Sequence, residues 1–168
     1  MIPLNQGYLD GLCGVYSIVN SNILVNNASI QDSQQLFNEL IDYLYRKRLL
    51  KPVLLEGLNI PIMRQLMHLT ESRFGVIIGN RKSVKSLKQW WDYSKSFLEE
   101  KPNRAIILSV GGRADHFTVI ERMTQRTIYF KDSSEWKKLN RAMCRLPDYN
   151  SDDKYIIYPS QCWYLGRE

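Results

Sequence analysis

Apolar residues recur three and four positions apart through the first hundred residues, then give way to continuous and alternating apolar runs. The change predicts a helical part over about 1–100 and a sheet part over about 104–166. Val15, Ile18, Val19, Ile23 and Leu24 predict a helix over about 13–26, entered from a polar, glycine-containing loop, and 26–29 reads as a turn. Leu36, Phe37, Leu40, Ile41 and Leu44 mark a second helix. Asp32 or Ser33 is its expected cap, and it should end near 50–51 because Pro52 disfavours helical geometry in the residue before it. A third helix is expected over 57–72, with Pro61 in its first turn and Ile62, Leu66 and Leu69 facing inward. Residues 74–79 read as a short buried strand, and 83–99 as an amphipathic helix carrying Leu87, Trp90, Trp91 and Phe97.

Beyond that helix, 104–110 is a continuous apolar strand and 111–114 a glycine-rich loop. Strands at 116–122 and 127–131 follow, joined by a short connection at 123–126. Strands at 155–158 and 161–165 complete the sheet, broken by Pro159. Helices first and antiparallel strands after predict an α+β fold, one domain spanning 1–168.

Composition sharpens this in a few respects. A chain of 168 residues, 44% of them apolar, suits one ordered core rather than two. No apolar run reaches the length of a membrane span, and the first residues lack a basic segment ahead of an apolar block. A cytoplasmic protein is expected, or an effector exported without a cleaved signal. The cysteines, Cys13, Cys144 and Cys162, sit at unrelated spacings that suggest neither a disulfide framework nor a zinc site, so a reducing compartment is expected and no metal or cofactor. The formal charge of +6 gathers at Arg46, Lys47 and Arg48, Arg81 and Lys82, Lys85, Lys88, Lys137 and Lys138. Such a surface suits nucleic acid, an acidic protein or an anionic membrane. Glu39, Asp42, Asp92, Glu99 and Glu100 are interspersed and no nucleic-acid motif accompanies the bases, which favours a solvated face.

The candidate chemistry begins in the stretch N-Q-G-Y-L-D-G-L-C-G-V-Y-S-I-V-N, residues 5–20. Polar residues and glycines (Asn5, Gln6, Gly7, Asp10, Gly11) run into Cys13, which opens the first predicted helix. Unpaired N–H groups and the helix dipole favour an anion there, and with it the thiolate form. Gly14 is expected to leave room beside the sulfur for a substrate carbonyl. The plain alternative is a small apolar residue opening a buried helix. His116 opens its strand and Asp132 follows the next. Hairpin pairing places them opposite one another to within about one residue. A carboxylate beside an imidazole holds one tautomer and stabilises the imidazolium. Otherwise Asp132 is a turn former in K-D-S-S. Asp115, Asp148, Asp152 and Asp153 compete for the carboxylate role, and His68, midway along a helix, for the base. Donors for an oxyanion would be the Cys13 N–H and the Gln6 amide, with Asn5 next.

The order Gln6, Cys13, His116, Asp132 resembles the papain-like cysteine peptidase superfamily. D-G-L-C-G-V-Y-S is similar to the cysteine box of its bacterial groups, including the C39-like leader peptidases, and H-F-T-V-I to their histidine strand. The resemblance implies a papain-like fold whose helices carry the nucleophile against an antiparallel sheet. It also implies a thiol hydrolase acting on a protein or peptide substrate: Cys13 forms an acyl-enzyme, His116 serves as base and acid, Asp132 orients it, and Gln6 supports the oxyanion. The superfamily also holds deamidases, acyltransferases, isopeptidases and cell-wall amidases. Two further readings stand beside it: a basic binding module in which these residues are incidental, and a papain-like fold that binds without turnover.

Overall fold

The computed structural model describes residues 3–6, 10–74, 76–79, 84–147 and 153–167. Among the described residues, six helices and a mixed sheet make an α+β arrangement. The helices are α1 (Cys13–Asn26), α2 (Ile30–Arg46), α3 (Leu50–Glu56), α4 (Ile60–Leu69), α5 (Glu71–Phe74) and, after β1 (Val76–Gly79), α6 (Leu87–Glu100). Then come β2 (Ala105–Gly112), β3 (His116–Met123), β4 (Thr127–Phe130), β5 (Lys138–Asn140), a 3-10 turn (Arg141–Met143), β6 (Cys144–Arg145) and β7 (Tyr155–Gly166).

Local chemistry explains the helix limits and corrects several expectations. Ser29, rather than Asp32 or Ser33, caps α2: its side chain accepts from the Asp32 N–H while Asp32 Oδ2 accepts from the Ser29 N–H, a reciprocal pair that satisfies two end donors. Pro52 does not follow a helix. The chain turns at Arg48, in the left-handed region at φ 59°, and starts α3 at Leu50, with Pro52 in the first turn where a missing N–H costs nothing. Asn59 caps α4 by accepting from the Ile62 N–H at 3.0 Å, and Leu69, expected inside, is 47% exposed near its end. Ser86 caps α6, so that helix starts at Leu87 and residue 83 lies outside the described residues, as do Arg81 and Lys82.

In the sheet the strand order is β1-β7-β2-β3-β4-β5, all antiparallel, with β6 pairing parallel to β7. Gly111 and Gly112 extend β2 instead of forming the expected loop. Pro159 does not divide β7 into two strands. The pairing with β2 jumps from Leu108↔Cys162 to Val110↔Ile157, a bulge that absorbs the proline without ending the strand. β5 and β6, absent from the sequence reading, are three and two residues long. Because a single turn joins β5 to β6, which pairs with β7 on the far side of β2, the sheet curls on itself.

Both faces of the sheet are covered, which is why 105–110 shows no alternation. Ile107, Phe117, Val119 and Leu165 face a core built with Val15, Ile18, Val19, Leu36, Leu40, Met63 and Leu66 of the helices. Ile106, Leu108, Ile120 and Tyr164 face a second core with Trp90, Trp91 and Phe97 of α6. Helix α1 is buried on nearly every side, its polar residues included. Ser21 donates to the Ser17 carbonyl at 2.7 Å. The Asn20 amide takes both backbone groups of Leu4, accepting from N at 2.9 Å and donating to O at 3.2 Å, and so pins the N-terminal segment to the helix.

The loop ahead of α1 is seated on the end of α3. The Gly11 N–H donates to the Leu54 carbonyl at 3.1 Å, and a Cβ on Gly11 would sit 2.7 Å from the backbone nitrogen of Gly57 and closer still to the Val53 carbonyl. Backbone on both sides cannot yield as a side chain would. Gly11→Ala is therefore expected to lower stability by about 1–3 kcal/mol, measured by urea unfolding, although alanine lowers unfolded-chain entropy.

Candidate active site

Cys13 is the first residue of α1 and is half-buried. The turn into the helix is closed by Asp10, whose Oδ1 accepts from the Leu12 N–H at 3.1 Å. The start of β3 lies alongside: a Cβ on Gly14 would come within 2.8 Å of Leu58 Cδ1 and 3.3 Å of Phe117 Cδ2. This corrects the role expected of Gly14. Its missing side chain makes room for Leu58, Met63 and Phe117, not for a substrate, and brings the mouth of the helix against the strand that His116 opens.

Asp132 lies two residues past the end of β4. The pairing of Ile120 with Phe130, carried on by a 2.9 Å bond from the Lys131 N–H to the Val119 carbonyl, sets Asp132 across from Thr118 and diagonal to His116 on the same face. His116 and Asp132 are thus not directly opposed, as expected from the turn, but the diagonal is short enough. Nε2 of His116 meets Oδ2 of Asp132 at 2.7 Å. The other carboxylate oxygen, Oδ1, accepts from the Ser134 N–H at 2.8 Å, the Ser134 hydroxyl at 2.6 Å and the Trp136 N–H at 3.3 Å. With its acceptors filled, the carboxylate is tolerated at 3% exposure.

The Cys13 side chain also acts on the imidazole, favouring its charged form. Of the two ring nitrogens, Nε2 is the one that meets Asp132, with the Ser134 hydroxyl 3.5 Å away. Burial works against a charged ring, but the hydrogen bond and charge of Asp132, together with Cys13, outweigh it and raise the His116 pKa to about 9. Burial likewise opposes the Asp132 charge, yet the bond and charge of His116 and the Ser134 hydroxyl hold that carboxyl at about 2. At neutral pH the two form a carboxylate–imidazolium pair.

Gln6 is held between the two halves of this corner. Its N–H donates to the Ser133 carbonyl at 2.9 Å, its Oε1 accepts from the Ser133 hydroxyl at 3.4 Å, and its side-chain amide donates to the Asp10 carbonyl in the loop before Cys13. The neighbouring Asn5 is exposed. The competing groups lie elsewhere. His68 sits on the surface with its side chain 85% exposed, 3.0 Å from Glu71. Asp115 is exposed, Asp153 pairs with Arg113 at 3.3 Å, and Asp148 and Asp152, like Gly7, lie outside the described residues. Cys144 and Cys162 are 5% and 3% exposed, and burial pushes both thiols up to about 12.

Two contributors escaped the sequence reading. Ser134 anchors Asp132, and Trp136 lies beside His116, ring centroids 6.3 Å apart, while packing on Phe130 and Tyr155. The signal for Ser134 is present in K-D-S-S, since an aspartate two residues ahead of a serine is suited to an Asx turn.

The shifted pKa values imply a pH dependence of stability. His116 is raised from 6.5 to about 9, so its contribution is complete below 6.5 and lost as pH rises through 9. Asp132 is lowered from 3.8 to about 2, so its contribution is complete above 3.8 and lost as pH falls through 2. The stability gap between the unaltered chain and His116→Gln, measured by urea unfolding, is expected to be widest near about pH 5 and to close toward pH 10. A gap that does not change with pH would contradict the pairing.

Comparison with protein-family models, with curated proteins and with solved structures finds no match to this chain.

Proposed function

We propose that the chain is a thiol hydrolase of the papain-like type, cleaving a peptide, isopeptide or side-chain amide bond through an acyl-enzyme on Cys13. One observation carries the reading: a single imidazole bonds the buried Asp132 through Nε2 at 2.7 Å and is acted on electrostatically by the half-buried Cys13 at a helix mouth. Cysteine at the start of a helix, histidine at the start of a strand and carboxylate after the next strand, in that chain order, add to it.

In this mechanism the sulfur, its proton already resting on the His116 ring, attacks the substrate carbonyl carbon as the thiolate. The developing oxyanion is met by the Cys13 N–H at the unpaired end of α1 and by the Gln6 amide, whose Nε2 has a second proton beside the one given to Asp10. The tetrahedral adduct collapses, the C–N bond breaks, and the imidazolium gives its proton to the departing amine. His116, neutral again, takes a proton from water as its oxygen attacks the thioester. The acid leaves and the sulfur is restored. Asp132, held on Oδ1 by Ser134 and Trp136, keeps Nε2 directed inward throughout. Deamidation and acyl transfer would use the same steps with a different amide or a different acceptor. A reducing compartment is the proposed setting, because the nucleophile must remain a free thiol.

Two measurements test the reading. Iodoacetamide in small amount at neutral pH should modify Cys13 well before the buried Cys144 and Cys162, and more slowly in His116→Ala. p-Nitrophenyl acetate should leave an acetyl group on Cys13, seen by intact mass, with turnover falling about two to four orders of magnitude in His116→Ala. Equal labelling of all three thiols in the folded protein, or an acetyl group that forms equally fast without His116, would sink the proposal.

A further inference from the structure

Where α2 gives way to α3, four successive residues are exposed: Tyr45, Arg46, Lys47 and Arg48. A helix lying on a core buries part of every turn, so an unbroken exposed run marks a corner that projects from the fold. Lys51 follows, one turn ahead of Leu55 on the same face of α3, and both are exposed. Tyr45 and Leu55, at 70% and 73%, are the most exposed large apolar residues among the described ones.

The carboxylates interspersed with the bases along the chain do not neutralise this corner. Glu39 pairs with Arg73 at 2.5 Å, Asp92 with Lys88 at 2.6 Å, Glu100 with Arg104 at 2.7 Å, and Glu99 with Lys95. Every residue from 42 to 56 is described, and the acids within that stretch are Asp42 and Glu56, at its two ends. Among the described residues, none of Arg46, Lys47, Arg48 and Lys51 forms an ion pair.

Helix energetics account for two of the bases and not for the other two. Arg46 and Lys47 end α2, where the helix dipole favours a cation. Lys51 stands in the first turn of α3, where the dipole opposes one. Arg48 lies in the left-handed region at φ 59°, a place that glycine takes more cheaply when a helix closes as α2 does. That closure sets the Leu49 N–H on the Leu44 carbonyl at 2.8 Å and the Arg48 N–H on the Tyr45 carbonyl at 2.9 Å. Two cations held at a local cost point to a use outside the fold.

We propose that this corner docks on an anionic membrane surface, its four bases meeting lipid headgroups while Tyr45 and Leu55 enter the interfacial layer. Tyrosine suits that layer because its ring is apolar and its hydroxyl polar. A protein interface places apolar residues at its centre and charges at its rim; here the bases are central and the apolar residues stand at either end of the segment. A nucleic-acid backbone offers Leu55 no apolar contact, whereas a lipid layer covers it. The surface shares no residue with the Cys13 corner, so it stands or falls apart from the hydrolase reading.

Co-sedimentation of the full chain with vesicles of equal parts phosphatidylserine and phosphatidylcholine tests it. Binding is expected that weakens as salt is raised and is lost on phosphatidylcholine alone. Arg48→Gly should raise the melting temperature, because glycine accepts the left-handed backbone, and yet weaken binding about fivefold. Lys51→Gln should weaken it by about the same factor, and Leu55→Ser should weaken it at unchanged melting temperature. Replacing Lys137 and Lys138 together by Gln should matter less than Arg48→Gly alone. Vesicles left unbound would overturn the proposal, as would full binding by the stabilised Arg48→Gly chain. A loss in the Lys137 and Lys138 variant as large as at the corner would overturn it in favour of bulk charge. If the corner variants instead lose binding to polyglutamate or to a single-stranded oligonucleotide while vesicles go unbound, the surface belongs to an acidic protein or a nucleic acid.

Discussion

The candidate site depends on how closely the first turn of α1 approaches the first residue of β3. Gly14 sets that distance. With hydrogen in place of a side chain, the helix comes down on Leu58, Met63 and Phe117, and the residues on either side of that contact, Cys13 and His116, are carried together. The helix is kept there by burial: Val15, Ile18 and Val19 are wholly enclosed, each contributing about 1.5–3 kcal/mol relative to exposure. On a helix seated this firmly, Cys13 is held in place beside the start of β3. The rigidity of this corner comes from the core, not from the loop preceding it.

Charge does the remaining positioning. A lone carboxylate as buried as Asp132 would be unfavourable, and an imidazole at the edge of the sheet would be free to rotate. Each removes the other's difficulty. The turn after β4 completes the arrangement by supplying two N–H groups and a hydroxyl to the oxygen that His116 does not use. The same turn holds Gln6 through Ser133, so one short loop organises the carboxylate and the entry segment together.

Much of this was legible in the chain itself. Helical spacing marked α1 and α2, and the shift to unbroken apolar runs marked the sheet. His116 and Asp132 followed from a hairpin short enough to count across. What stayed hidden depends on distance in sequence. The two-position offset between His116 and Asp132 is set at the turn, which pairs Met123 with Ile128, and the register shift between Ile120 and Arg122, which no pattern announces, brings the two one position closer. Strands of two and three residues carry too few positions to show a period. Pro52 and Pro159 read as breaks because proline forbids a donor, yet the first turn of a helix and a bulge need none there. Gly14 could be read either as space or as contact, and only the arrival of Phe117 from a hundred residues away decides between them.

The two-sided sheet also separates what neighbouring residues report. Ile106 and Ile107 are adjacent in the chain and alike in chemistry, but the first belongs with the tryptophans of α6 and the second with the helix that bears Cys13. Side-chain damage on one side of that wall need not cross it, because the backbone ladder between the layers bears the load. The surroundings of Cys13 and the aromatic layer under α6 thus lie on opposite faces of one sheet and come together only at its rim, where Trp136 stands beside His116 and packs on Phe130 and Tyr155.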